Sequence, residues 1–241
     1  MSDAITLLQV SFEHNSIPAK FRLALDPRHP ESKAIGAGLT QRKLYMSHTS
    51  DALMGALQVG DVFLDVGAGA GWFSLLASVR VGAEGRVVAC ETRPEESLAL
   101  ARNLMVNPGL PVASLPWSLE EAQAGQGIDD LIPLLPLPKP PRVLRIAAGG
   151  GEARVLAGAT RLFDVKPPAH VLVEIDRAAL EKRGSSEAQI RGFFNARSYE
   201  TWLVNQDGRD ICGGESIKRL PNGYYIEQVS RFQILFSHTK G

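Results

Sequence analysis

Two cysteines in 241 residues, Cys90 and Cys212, are too few for a disulfide framework and stand at no metal-ligand spacing. They read as free thiols in a reducing compartment. Charge of one sign is also missing: 26 Lys+Arg against 26 Asp+Glu give a formal net charge of zero at pH 7. Without a global basic field, neither nucleic acid nor an acidic membrane surface is an expected partner. No segment reaches the roughly 18 apolar residues of a membrane span. Met1-Ser2-Asp3-Ala4-Ile5 lacks the basic and apolar regions of a signal peptide, so a soluble cytoplasmic protein is expected. A hydrophobic content of 44% excludes a disordered chain and suits one large α/β domain.

Within that composition one stretch dominates. Val62-Phe63-Leu64 leads into Asp65-Val66-Gly67-Ala68-Gly69-Ala70-Gly71 and then Trp72-Phe73-Ser74-Leu75-Leu76. It reads as a strand turning through glycines into a helix, an arrangement that brings backbone close to a ligand and aims helix N–H groups at it. A dinucleotide fingerprint would place a third glycine where Trp72 stands. Asp65 instead closes the strand with a negative charge, which suits S-adenosylmethionine, a ligand carrying a sulfonium and an α-amino group. The next strand, Arg86 to Cys90, ends at Glu91, where a carboxylate can accept from both ribose hydroxyls. The bland alternative is a tight turn with a capping Asp, but strand, glycine turn, helix, strand and terminal acid follow one another in order.

The rest of the chain alternates. Phe21 to Leu25 reads as a strand within an N-terminal cap segment, residues 1–40, packed on the domain formed by 41–241. A helix covers Leu44 to Leu57, another starts at Pro94, and Val112 to Leu115 is a strand followed by Trp117 and Ser118, which lie where an adenine ring would meet side chains. Trp117 reads equally as core. The prolines of 133–141 exclude helix and central strand. Strands at Val143–Ala147 and His170–Ile175 flank a helix from Glu152 to Phe163; a helix at Ser186–Ala196 precedes strands at Tyr199–Val204 and Arg231–Phe236, joined by a Gly-rich loop from Asn205 to Gly223. This order predicts an α/β fold, a mainly parallel sheet with an antiparallel ending and helices on both faces.

Leu64 to Phe73, Val81 to Val87, Glu91-Thr92-Arg93-Pro94, Leu100 to Leu104, Ile128 to Leu131, Glu152 to Ala159, Val173-Glu174 and the terminal strand together resemble the FkbM family of class I S-adenosylmethionine-dependent methyltransferases, over about residues 20 to 238. The resemblance implies a Rossmann-like seven-stranded sheet and O-methylation of a hydroxyl on a sugar or related small molecule. It maps Asp65, Gly67, Ala68, Gly69 and Gly71 onto the methionine-end loop, and Glu91 onto the ribose acid. One departure stands out. Where the family reads Lys-Ile-Asp-x-Glu-Gly-x-Glu, this chain has Arg145-Ile146-Ala147-Ala148-Gly149-Gly150-Gly151-Glu152, without the first two acids. Glu152 and Glu174 remain as candidate catalytic carboxylates, and Glu152 reads equally as a charge complementing a helix N-terminus. No acid pair has spacing for Mg²⁺, so no metal is expected. Two classes of function therefore stand side by side: an O-methyltransferase with an altered acceptor site, and a degenerate relative that binds cofactor or serves as an interaction module. An NAD-dependent oxidoreductase ranks third.

Overall fold

The computed structural model describes residues 4–14, 17–117, 127–224, 226 and 229–239. They fall into two compact units, 1–117 and 118–241.

The first unit opens with an antiparallel pair, β1 (Thr6–His14) and β2 (Ile17–Leu25). Alternation decides which face of β2 is inward: Ala19, Phe21 and Leu23 are buried, while Lys20 and Arg22 are exposed. Helix α1 (Pro30–Thr40) starts on a proline, whose missing N–H costs nothing there, and His29 caps it by accepting from the Ser32 N–H at 3.2 Å. After α2 (Ser47–Ala56) come β3 (Val62–Val66), α3 (Trp72–Val81), β4 (Arg86–Cys90), α4 (Pro94–Met105) and β5 (Val112–Leu115). The three strands run parallel in the order β5-β4-β3. Helix α3 is apolar on nearly every face, and accordingly all its residues except Val79 and Arg80 are buried.

Two amides, Asn103 on α4 and Asn107 just past its end, tie this unit together. Asn103, wholly buried, accepts from the Ala24 N–H at 2.7 Å and donates to the Ala70 carbonyl at 2.7 Å, so one side chain joins β2 to the glycine turn. One turn on, Asn107 accepts from the Arg22 N–H and donates to the Arg22 carbonyl, both at 2.8 Å.

The second unit contains α5 (Ile128–Leu131), a 3₁₀ turn at Ile132–Leu134, β6 (Val143–Ile146), α6 (Glu152–Ala157), α7 (Thr160–Val165), β7 (His170–Asp176), α8 (Arg177–Lys182), α9 (Glu187–Asn195), β8 (Tyr199–Val204), β9 (Ile217–Leu220) and β10 (Arg231–His238). Its strand order is β6-β7-β10-β8-β9, with β6 and β7 parallel and β10 antiparallel to both of its neighbours. An aromatic cluster packs α9 on the strands: Phe194 stacks on Phe236 with centroids 3.8 Å apart, and the Tyr199 hydroxyl donates to the Pro168 carbonyl at 2.6 Å.

The α/β architecture, the parallel strands and the antiparallel ending match the reading of the sequence. Eight strands belong to these two sets rather than seven, because β9 lies inside the stretch read as a Gly-rich loop. The helix expected from Glu152 to Phe163 is two helices. It breaks at Gly158, whose carbonyl accepts from the Asp129 N–H at 2.9 Å and whose Cβ, if present, would lie 2.8 Å from the Gly127 Cα. Among the described residues no helix is long and apolar enough to cross a membrane.

Asn103→Ala leaves a buried donor and a buried acceptor unsatisfied, and is expected to cost about 3 kcal/mol in urea unfolding. Gly127→Ala drives a Cβ to 2.4 Å from the Gly158 carbonyl oxygen and is expected to destabilise by about 2 kcal/mol.

Candidate functional site

The glycine turn lies between the end of β3 and the start of α3, and its glycines adopt a backbone that other residues avoid: φ is +76° at Gly67, +57° at Gly69 and +90° at Gly71. A Cβ on Gly71 would lie 2.6 Å from Leu100 Cδ1, and one on Gly69 2.3 Å from Glu31 Oε2; both are ends of flexible side chains that can move aside, so the positive φ is what demands glycine at these two positions.

Every backbone N–H from Gly67 to Gly71 already has a partner. Gly67 and Ala68 both donate to the Cys90 carbonyl, at 2.9 and 3.1 Å. Gly69 donates to Glu91 Oε2 at 2.9 Å, Ala70 to Glu31 Oε2 at 2.7 Å, and Gly71 to the Ala68 carbonyl at 3.0 Å. The chain's own oxygens thus take up the amides of the turn. What the turn presents instead is negative charge, from Glu91 at the end of β4, from Glu31 on α1 and from Asp65 at the end of β3. Asp65 is fully buried and accepts from the Ser74 hydroxyl at 2.6 Å. An acidic turn with its amides occupied suits a cationic ligand and opposes a pyrophosphate.

Glu91 is 5% exposed, and both of its oxygens accept. The Thr92 and Arg93 N–H groups reach Oε1 at 2.9 Å, and the Arg93 guanidinium approaches both oxygens at 3.2 Å. Burial works to raise this carboxyl, but the hydrogen bonds from Arg93 and from the Gly69 N–H outweigh it and hold the group below the ordinary glutamate value. Cys90 is pushed up to about 12 by burial and by the neighbouring Asp65 and Glu91 charges, so its thiol stays neutral and unreactive at physiological pH.

Trp72 is core: its indole N–H donates to Ser50 Oγ at 2.9 Å, and its ring meets Phe21 and Tyr45 edge-on. Trp117 is half-buried at the end of the first unit, and Ser118 lies outside the described residues. In the second unit, Glu152 is 1% exposed and its Oε1 accepts from the Ala148 and Gly150 N–H groups at 2.8 and 3.3 Å, holding the turn after β6. Burial, opposed by those N–H groups and reinforced by the Glu174 charge, raises its carboxyl above the ordinary value. Glu174, on β7, pairs with Arg231 of β10. Asp129 and Asp130 hold helix N-termini rather than a simple turn: Asp129 accepts from the Arg161 and Leu162 N–H groups in the first turn of α7, and Asp130, in α5, from the N–H of the capping Gly127. In the three-glycine run, Gly150 is required by close approach, since a Cβ there would lie 2.4 Å from the Ala179 carbonyl oxygen.

Glu31 is the site residue that sequence reading missed. It stands 39 residues before Ala70 in a helix whose two glycines blur its pattern, and its one local signal is an acid in the first turn after His29-Pro30.

No protein-family model matches this chain, and no curated protein sequence matches it. Solved structures do. An S-adenosylmethionine-dependent O-methyltransferase from Thermotoga maritima superimposes with a TM-score of 0.54 at 12% identity, covering 95% of this chain and 77% of that one. Fibrillarin from Aeropyrum pernix, in complex with natively bound S-adenosylmethionine, gives 0.51 at 15% identity, covering 95% and 82%. These likenesses show the fold, an α/β arrangement shared with class I methyltransferases.

The two buried glutamates are expected to respond oppositely to pH. Glu91, held low, adds stability that is complete above the unfolded value of 4.5 and lost as pH falls through its folded value. Glu152, held high, subtracts stability as pH rises from that same value of 4.5 through its folded one. Relative to wild type, Glu91→Gln should therefore be worse at pH 7.5 than at pH 3.5, and Glu152→Gln better, as read by chemical denaturation at both pH values.

Proposed function

We propose that this chain is an S-adenosylmethionine-dependent methyltransferase of the FkbM type, acting on a hydroxyl oxygen of a sugar or related small molecule. The observation that carries the reading is the acidic glycine turn: three positive-φ glycines after a strand that closes on Asp65-Val66, clamped to Glu91, the residue that follows the neighbouring strand. The cofactor of the two structural relatives supports it. Asp65, Gly67, Ala68, Gly69 and Gly71 would receive the methionine end, Glu91 the ribose, and Trp117 and Ser118 the adenine edge. Bound there, S-adenosylmethionine supplies a methyl group already activated by its sulfonium, so the protein's work is to align an acceptor oxygen with it and to take up the hydroxyl proton. Glu91 can reach a ribose once the half-exposed Arg93 guanidinium gives way, since its carboxylate has about four acceptor directions in all.

Of the candidate catalytic carboxylates, Glu174 keeps solvent access and is the proposed proton acceptor, with Arg231 holding its orientation. Glu152, buried and committed to the Ala148 and Gly150 amides, is proposed to shape the loop that carries the acceptor.

A second reading, a cofactor-binding relative without transferase activity, is favoured by one observation. Position 149, where the family carries a glutamate, is a glycine with φ +57°, a conformation that costs a glutamate roughly 1–2 kcal/mol. Calorimetric titration separates these readings when joined to transfer of a labelled methyl group to an acceptor panel that includes sugars and RNA. Micromolar binding, weakened at least tenfold (about 1.4 kcal/mol) by Asp65→Asn, is expected, with label appearing on a small-molecule hydroxyl. Binding without transfer would support the second reading, and no binding of S-adenosylmethionine or S-adenosylhomocysteine would overturn both.

A further inference from the structure

We infer that the groove between β1 and the turn after α1 is a second ligand site, which takes a free amphipathic anion: an alkyl carboxylate whose chain lies along β1 and whose head meets Arg42 and Lys43. This goes beyond the methyl transfer proposed above and does not rest on it.

The groove encloses about 480 Å³, within the range of small-molecule sites. Leu8, Val10 and Phe12 wall it from one face of β1, as strand alternation requires, with Leu39 from the last turn of α1 and Leu44 from the segment beyond. Val10 is buried and the other four are half-buried, so the chain leaves this apolar surface partly uncovered. From Leu8 to Phe12 it follows the strand for roughly 13 Å, the reach of a medium-length alkyl chain. Leu39 lies eight residues beyond Glu31 on α1, roughly 12 Å along the helix axis, so the groove is separate from the glycine turn that Glu31 touches.

Charge decides which apolar ligand fits. Arg42 and Lys43 are exposed at the rim, and among the described residues neither side chain has an ion-pair or hydrogen-bond partner. The described lining contains no carboxylate; its remaining members, Gln9, Ser11 and Thr40, are neutral. The turn that carries the two cations is fastened to the helix it follows. The Gln41 and Lys43 N–H groups both donate to the Gly38 carbonyl, at 3.0 and 2.9 Å, and the Arg42 N–H donates to the Leu39 carbonyl at 3.0 Å. Arg42 is held there at φ +58°, a left-handed conformation that glycine or asparagine adopts at less cost than arginine. An apolar wall with two uncommitted cations at its edge favours a ligand with an apolar body and an anionic end, and opposes a cationic amphiphile of the same length.

The test titrates ¹⁵N-labelled protein at low salt with decanoate, with decyltrimethylammonium as a cation on the same tail, and with acetate as the head alone. Decanoate is then titrated into Arg42→Asn/Lys43→Gln, a double change at exposed positions in which asparagine suits the left-handed backbone. The expected result is saturable amide shifts at Leu8 to Phe12 and Leu39 to Leu44 with decanoate, and none with acetate. Decyltrimethylammonium and the double variant should each show binding at least fivefold weaker, the variant's spectrum being unchanged outside the groove. Equal affinity for the two amphiphiles would overturn the inference on wild-type protein alone, by showing apolar contact without selection for charge, and so would undiminished decanoate binding by the variant. Shifts spread over the whole molecule, or none at millimolar decanoate, would overturn it as well. Shifts at Leu8 to Phe12 that grow with protein concentration before any ligand is added would replace it with pairing of β1 to a second copy.

Discussion

Five consecutive backbone amides, from Gly67 to Gly71, are each accepted by an oxygen of the chain itself, and this constraint shapes everything around the turn. Two of those oxygens belong to the end of β4, the Cys90 carbonyl and the Glu91 carboxylate, so the parallel pairing of β3 with β4 and the shape of the turn determine one another. Because buried amides left without partners are costly, any change that moves Glu91 must disturb the turn as well. With three positive-φ glycines, five N–H groups in succession reach the end of β4, helix α1 and the turn itself.

The electrostatic consequence is a concentration of negative charge in a mostly apolar setting. Asp65 and Glu91 flank a cysteine whose thiol is kept neutral by burial and by those same charges, so no third anion forms between them. Arg93 offsets part of the charge of Glu91 from its exposed side. Three carboxylates, those of Glu31, Asp65 and Glu91, thus gather at the turn of the first unit, and under the proposed reading they favour a sulfonium with an adjacent ammonium over a dinucleotide.

How much of this was legible depended on sequence distance. The run from Val62 through Glu91 carries its own pattern of buried strand, glycine turn, apolar helix and terminal acid, and β3, α3 and β4 lie where that pattern puts them. Helix α1 was not visible, because only Ser32 and Ile35 are buried in it and Gly36 and Gly38 weaken its propensity. Glu31 was hidden with it. The break between α6 and α7 is equally non-local: Gly158 ends a helix because Gly127 packs against it from 31 residues away, a contact that no window of periodicity contains. Strand β9 escaped notice for a different reason. As an edge strand it exposes Lys218 and Arg219 and buries only Leu220, so it lacks the apolar alternation of an inner strand.

The central claim is where a ligand binds, and the most direct measurement follows the backbone amides of ¹⁵N-labelled protein by NMR while S-adenosylmethionine is added. The account predicts saturable shifts concentrated at Gly67 to Trp72 and at Glu91 to Arg93, where ligand and chain would share the same carboxylates. Shifts confined to residues away from this turn, or a spectrum unchanged at millimolar ligand, would contradict it.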